Sequence, residues 1–433
     1  MKLFLETYGC QMNAYDSELV ESLLAPEGYE RTHALEEADI VLINTCAIRE
    51  GAHRKTYGRL DLLRPLKLEK SHFIVGVLGC MAQNLKEALL EHPVVDLVVG
   101  PDNYRSLPRL VAKALSGKGP QIEAYLSEYE TYSDVAPTRI KGVNGWIAVM
   151  RGCDNFCTFC VVPYTRGRER SRSPESIVQE ATQLAKQGYP QVTLLGQNVN
   201  SYCHEGASFS NLILQVARIE GVRRVRFTSP HPKDFPESLL DVIADQPRIC
   251  KHIHLPVQAG SNRTLDRMNR TYTREAYLDL VRTIRKRIPN VSLTTDMIVG
   301  FPGESEDDFL ETVHLMEEAA FDNAFIFKYS ERRGTIAAQK YPDDVPPDVK
   351  TDRIVRLFAR QHEIALLKNK GQIGSTLEVL IEGTAEKKPN HQFGKSDGNA
   401  TVLFPETGLP PGALLPVTIT TATSGFLYGL GTS

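Results

Sequence analysis

Three cysteines, Cys153, Cys157 and Cys160, lie in the run Arg151-Gly-Cys-Asp-Asn-Phe-Cys-Thr-Phe-Cys. The spacing puts three soft thiolates on one short loop, where they can hold a single inorganic core. A cubane 4Fe-4S cluster normally takes one thiolate per iron. Three thiolates leave one iron open for a small chelating molecule. Structural zinc asks for a closed set of four ligands and usually pairs two CxxC knuckles, and no second knuckle follows here. An incomplete zinc site and unligated thiols are the plainer alternatives.

Cys10, Cys46 and Cys80 form a second trio. Each closes a strand-like apolar run: Leu3-Phe-Leu-Glu-Thr-Tyr-Gly-Cys, Asp39-Ile-Val-Leu-Ile-Asn-Thr-Cys and Phe73-Ile-Val-Gly-Val-Leu-Gly-Cys. Helix-like segments follow, such as 16–24 and 84–90. Repeated strand–helix units build a parallel sheet with right-handed crossovers, so every strand ends on the same edge, where open α/β sheets bind ligands. The three thiols would converge there on a second core, again one ligand short. Small buried residues also suit strand ends, which is the structural alternative. Cys203 and Cys250 have no such setting and are expected to be ordinary thiols.

The elements that must position these residues are legible in outline. The fold class is α/β, with expected units at 1–118 (a parallel α/β domain), 119–138 (a linker), 139–370 (a central strand–helix domain) and 371–433 (a small β-barrel). From about residue 143 strands and helices alternate six times, which implies a curved parallel sheet wrapped by helices. Its catalytic groups should come from loops after the strands, and the Cys153 loop follows the first strand. Later strand ends carry Gly196-Gln-Asn-Val-Asn-Ser-Tyr, Thr228-Ser-Pro-His-Pro, Leu255-Pro-Val-Gln-Ala-Gly-Ser and Val299-Gly-Phe-Pro-Gly-Glu. Gln197, Ser229 and Gln258 on this rim are candidate cofactor contacts; each motif alone is also ordinary turn chemistry.

Bulk properties narrow the class. The 433 residues are 42% hydrophobic and 24% charged, with a net charge of −3. Nucleic-acid binding would need a local patch. No apolar run suits a membrane helix, so no membrane partner and a cytoplasmic location are expected. There, cysteines serve metals or catalysis more than disulfides. No P-loop and no GxGxxG after a strand occurs. Arg166, Arg168, Arg170 and Arg172 alternate after the cysteine loop; in extended backbone they would share one face and offer guanidinium forks to phosphates. The alternative is a loop of ion pairs to Glu169 or Glu175. The C-terminal unit sets Lys387, Lys388 and Lys395 against Glu378, Glu382, Glu386, Asp397 and Glu406, which is not the balance of a strong polyanion binder.

The Cys153 loop resembles the signature of the radical S-adenosylmethionine (SAM) enzymes. The whole chain resembles one family of them, the methylthiotransferases. The resemblance implies an N-terminal domain with an auxiliary 4Fe-4S cluster on Cys10, Cys46 and Cys80, and a radical-SAM (β/α)6 partial barrel with the SAM cluster on Cys153, Cys157 and Cys160. It also implies a C-terminal TRAM-like barrel linked to RNA. One SAM would donate a methyl group and another would yield the 5′-deoxyadenosyl radical. Gly9-Cys-Gln-Met-Asn-Ala-Tyr-Asp-Ser-Glu18, Cys160-Val-Val-Pro-Tyr-Thr-Arg-Gly-Arg-Glu, Gly196-Gln-Asn-Val-Asn-Ser-Tyr and Ser229-Pro-His-Pro resemble the branch that methylthiolates isopentenyladenosine beside the tRNA anticodon. The ribosomal-protein branch typically carries Pro-Lys at Gln11-Met12, and the threonylcarbamoyladenosine branch Lys-Val. Implied partners are the tRNA anticodon stem-loop and an electron donor such as flavodoxin or ferredoxin. Two departures stand out. Gly196-Gln-Asn replaces the usual Gly-Gly-Glu, and the barrel loop beginning at Gly394 lacks arginines, which shifts the expected RNA contact to the arginine run.

The alternatives are methylthiolation of a protein side chain and a metal-stapled RNA-binding module without catalysis. Anaerobic metal and sulfide analysis separates the classes: two cubane clusters predict about eight irons per chain with matching sulfide, whereas zinc alone would mark the stapled module.

Overall fold

The computed structural model describes residues 1–47, 50–70, 72–139 and 142–432. Its N-terminal sheet comprises β1 (Lys2–Tyr8), β2 (Glu30–Arg31), β3 (Ile40–Thr45), β4 (Ile74–Gly79), β5 (Leu97–Val99) and β6 (Gln121–Glu123). All are parallel, in the order β2-β1-β3-β4-β5-β6. β3 and β4 are buried along their whole length, as parallel strands covered on both faces must be. Alternate residues divide between two cores. Ile40, Leu42 and Leu78 pack under the helices Gln11–Leu24 and Leu107–Leu115, while Val41, Ile43, Val75 and Val77 meet Leu60, Leu63 and Leu89. Residues 119–138 are more than the expected linker. They supply the edge strand β6 and the fully buried Tyr132, whose hydroxyl donates to the Pro101 carbonyl and accepts from Tyr104 N–H.

The central unit has two three-stranded parallel sheets. One runs β13 (Arg224–Phe227), β10 (Gln191–Leu195), β7 (Asn144–Ala148); the other runs β14 (His252–His254), β15 (Ser292–Val299), β16 (Asn323–Lys328). A bridge between Val225 and Ile249 joins them. Together they form an open, six-stranded parallel barrel wall. Short antiparallel pairs, β8 (Met150–Arg151) with β9 (Arg170–Ser171) and β11 (Cys203–His204) with β12 (Ala207–Ser208), decorate its rim. The helices outside follow local rules. Pro174–Lys186 starts with the Ser173 hydroxyl accepting from Ser176 N–H and with proline in its first turn, where a missing N–H costs nothing. Its Ile177, Ala181 and Leu184 recur at helical spacing and are buried in the same apolar core as Val192 and Leu194 of β10.

The C-terminal unit is a closed five-stranded barrel of β17 (Thr376–Thr384), β18 (His391–Ser396), β19 (Thr401–Pro405), β20 (Leu414–Ala422) and β21 (Leu427–Gly431). Gly394–Ser396 belongs to β18, not to the loop expected from the sequence. A Cβ at Gly394 would run into the Leu380 carbonyl of β17, so glycine here permits close strand approach. The barrel docks against the amino ends of the central strands. Arg224 donates to the Lys395 and Glu378 carbonyls, and Arg226 to those of Ser396 and Asp397. The Asp397 carboxylate accepts from Lys251 N–H.

The N-terminal and central units are fastened by buried ion pairs. Asp16 is fully buried; its Oδ1 accepts from Arg151 Nη2 at 2.8 Å, and its Oδ2 from Arg166 Nη2 at 2.8 Å and Tyr104 Oη at 3.3 Å. A second cluster joins Glu18 and Glu180 to Arg139 and Arg172. Removing one partner strands a charge in a low-dielectric interior. Asp16→Asn is therefore predicted to cost about 3–5 kcal/mol, seen as a lower urea midpoint. Arg64→Ala, which breaks the exposed pair with Asp61, should cost no more than about 1 kcal/mol.

Candidate cluster-binding site

Sheet register brings the first cysteine trio together. β1, β3 and β4 are adjacent, and their last residues Tyr8, Thr45 and Gly79 are matched partners across the ladders. Cys46 and Cys80 follow their strands directly and Cys10 lies two residues past Tyr8. Neighbouring strands are about 4.8 Å apart, so the three cysteines stand side by side on the carboxyl edge. Cys46 N–H donates to the Tyr8 carbonyl at 3.0 Å. Gly9 passes so close that a Cβ there would lie 2.9 Å from Cys46 Cβ, and Gly79 turns the chain into Cys80 at φ +85°. A buried amide network sets the approach of the helix that Cys10 caps. Asn13 Nδ2 donates to Asn44 Oδ1, and Asn44 Nδ2 donates back to the Asn13 carbonyl and to Ser17 Oγ.

The second trio lies on the loop after β7 and β8. Gly152, at φ +83°, opens it; a Cβ there would strike the Arg168 carbonyl. Its N–H donates to Gln197 Oε1 at 2.7 Å. Cys153 N–H bonds the Gly167 carbonyl, Cys160 N–H the Cys157 carbonyl, and Thr158 N–H the Met268 carbonyl. Asn269 holds the carbonyls of Asn155 and Phe156 from across the rim. The loop is thus shaped by backbone bonds that leave its sulfurs uncommitted to one another: all eight cysteines are free thiols.

Guanidinium groups face both trios. Arg166 Nε donates to Cys80 Sγ at 3.2 Å, and Arg270 Nη1 to Cys157 Sγ at 3.4 Å. Arg270 is buried, and its other bonds go to Tyr272 Oη and the Pro256 carbonyl rather than to a carboxylate. Arg151 and Arg166 share the one carboxylate of Asp16. The cysteines are therefore ringed by more buried positive charge than local carboxylates offset, and buried charge demands a counter-charge. Thiolate-bound iron–sulfur cores are anionic, so the donor set and its surroundings fit such a group. Among the described residues no three His, Cys, Asp or Glu side chains converge on a single metal ion. A cubane core requires a different arrangement, with each thiolate on its own iron and the sulfurs spread around it. Burial pushes the Cys153 thiol up to about 11 and moves Cys80 and Cys160 upward too. Ligation must then expel the thiol protons.

The arginine run is not the exposed ladder that its spacing suggests. Arg166, Arg170 and Arg172 are buried. Arg166 ends the short helix Val162–Arg166; Arg170 makes a two-pronged pair with Asp102; Arg172 bonds Glu180, Tyr15 and the Ala148 carbonyl. Their partners are neither Glu169 nor Glu175, and three of the four guanidiniums are closed to RNA. Arg168 alone is exposed, paired with Asp154. Gln197, Ser229 and Gln258 all lie on the carboxyl rim. The Gln197 amide oxygen is committed to the cysteine loop itself, and Ser229 and Gln258 hold left-handed backbones at φ +60° and +75°. Asp16, Arg270 and Asn44 were not singled out by sequence spacing, because their partners lie far along the chain.

The inner face of β14–β16 carries His254, Asp296, Phe325 and Phe327. His254 pairs with Asp296 and meets the Phe325 ring. Phe325 and Phe327 are 49% and 44% exposed, whereas their strand neighbours Ala324 and Ile326 are buried against the helices. Among the described residues no helix is long and apolar enough to cross a membrane.

The chain matches the Radical SAM superfamily over residues 147–316, the Uncharacterized protein family UPF0004 over 2–100 and the TRAM domain over 370–430. It is 49% identical to the tRNA-2-methylthio-N(6)-dimethylallyladenosine synthase of Bacteroides fragilis, over 99% of this chain and 95% of that protein. It is 48% identical to the enzyme of the same name from Chloroherpeton thalassium, with the same coverage. Among solved structures, the radical S-adenosylmethionine methyltransferase TsrM from Kitasatospora setae aligns over 78% of this chain and 77% of its own, with a TM-score of 0.57 and 18% identity, a likeness of fold. With near-complete coverage by such relatives, and with both cysteine trios on facing strand edges, the chain belongs to the radical SAM family of tRNA-2-methylthio-N(6)-dimethylallyladenosine synthases.

Proposed function

We propose that this protein replaces the C2 hydrogen of isopentenyl-modified adenosine 37 of tRNA, next to the anticodon, with a methylthio group. The observation that carries the reading is the pair of three-cysteine edges joined through Asp16, in a chain with full-length likeness to enzymes named for this product. Cys10, Cys46 and Cys80 would hold an auxiliary 4Fe-4S cluster, and Cys153, Cys157 and Cys160 the cluster that binds SAM. Bound clusters and SAM would supply the electron, the radical, the methyl group and the sulfur.

The chain's own contribution is placement and exclusion of water. The Gly152–Gln197 bond and the Asn269 clamp fix the Cys153 loop, while Asp16 fixes its distance from the other trio. Such fixed placement replaces the entropy of bringing reactants together, and the hard chemistry is left to the cofactors. Ser229 and Gln258 would meet SAM at this rim. The target base would leave its stack to enter the open wall. The half-exposed rings of Phe325 and Phe327 would offer it a stacking face; the three buried arginines cannot reach phosphate, and Arg168 remains for that contact. An electron donor of the flavodoxin or ferredoxin kind and a cytoplasmic location complete the proposal.

Mass spectrometry of tRNA nucleosides tests the reaction. A deletion strain is expected to lose the methylthio nucleoside and accumulate isopentenyladenosine; persistence of the methylthio form, with no paralogue to account for it, would overturn the assignment. Phe325→Ala with Phe327→Ala is expected to raise KM for tRNA by about tenfold or more, in line with ~1–3 kcal/mol per stacked base, while the iron content stays unchanged.

A further inference from the structure

The short helix Val162–Arg166 joins the two cysteine trios. It begins two residues after Cys160, and Val161 packs against Cys80 and Ala47. Its last residue, Arg166, is 3% exposed and divides its guanidinium three ways. Nε donates to Cys80 Sγ at 3.2 Å and Nη2 to Asp16 Oδ2 at 2.8 Å. Nη1 is buried and has no partner among the described residues. Its carbonyl is held by Arg170 Nη2, and Arg170 is itself locked on Asp102. The side chain is thus held at both Nε and Nη2, and the two N–H groups of Nη1 stay buried without an acceptor among the described residues. A buried donor left so is costly. Arg151, the other arginine on Asp16, also buries Nε and Nη1 without a partner among the described residues, but it stacks over the Tyr132 ring at 4.8 Å and donates to no sulfur among them.

We propose that Arg166 is a positioning residue for the cluster assigned above to Cys10, Cys46 and Cys80. It seats that cluster and sets its reduction potential through the bond to Cys80 and through Nη1. The inference rests on the two-cluster reading. Hydrogen bonds to ligating sulfur and nearby positive charge stabilise the more reduced, more negative state, and so raise the potential. Arg166 comes from the opposite loop and is tied by Asp16 to the same helix as Cys10, so the seat of one cluster is built by the segment that carries the other.

The test isolates each cluster in the full-length chain. In a Cys153→Ala, Cys157→Ala, Cys160→Ala background only the first trio binds iron; potentiometric titration followed by electron paramagnetic resonance then compares Arg166, Arg166→Lys and Arg166→Gln. Arg166→Gln is expected to move the potential to more negative values and to alter the spectrum. Arg166→Lys, which keeps the charge but cannot span Cys80 and Asp16 together, should move it less. In a Cys10→Ala, Cys46→Ala, Cys80→Ala background the same substitutions should leave the remaining cluster's potential unchanged. Selective loss of iron from the first trio alone would also support the seating role. An unchanged potential and spectrum, equal shifts of both clusters, or loss of iron from both would overturn the proposal. Failure of the underlying reading shows separately: the wild-type chain would then bind about four irons or fewer, not about eight.

Discussion

One buried carboxylate holds this architecture in register. Asp16 lies on the first helix beside Cys10, and both of its oxygens are taken by guanidinium groups that flank the Cys153 loop, one on each side. A carboxylate removed from water is expensive, and the expense is offset only while both arginines stay in place. Separation of the two α/β units would therefore leave three charges stranded at once. The units behave as one body because electrostatics penalises every intermediate spacing, in addition to the apolar contact of Ala148 and Leu195 with the N-terminal core.

Both units obey the same rule of parallel sheets: chemistry gathers where strands end. In the first unit the register of β1, β3 and β4 sets three cysteines abreast. In the second, a single loop after the first strand carries all three. Arg151 and Arg166 then join the two edges. Arg166 and Arg270 each donate to one sulfur of a different trio, and the buried positive charge around them matches what an anionic core requires. The C-terminal barrel lies at the other end of the central strands, against Arg224, Arg226 and Lys251.

The cysteine edges were legible from sequence because strand–helix units have a nearly constant length, so equal spacing implies equivalent positions. The Cys153 loop was legible because its ligands are local. The arginine run was misread for the complementary reason. Alternation shows that four side chains can share a face, but not that Asp16 and Asp102, lying 150 and 68 residues away, will bury two of them. β18 was missed since Gly394 and Ser396 read as turn chemistry until the neighbouring strand shows why glycine is needed there. The segment 119–138 looked like a linker because its one strand is three residues long and its other ties, such as Tyr132 to Pro101, Ser127 to Asp102 and Glu130 to Arg105, run to residues distant in sequence.

The manner in which the barrel is seated has a further consequence. Arg224 and Arg226 grip it chiefly by main-chain carbonyls of residues 378 and 395–397. Every amino acid offers that same oxygen. Mutational drift in the turn can therefore alter its charge, bulk or affinity for nucleic acid without loosening the joint, provided that the strand path and the Asp397 carboxylate on Lys251 N–H are kept. The module is attached by a grip that depends on side-chain identity mainly at Asp397, which leaves its outer surface open to adaptation while the catalytic rim stays undisturbed.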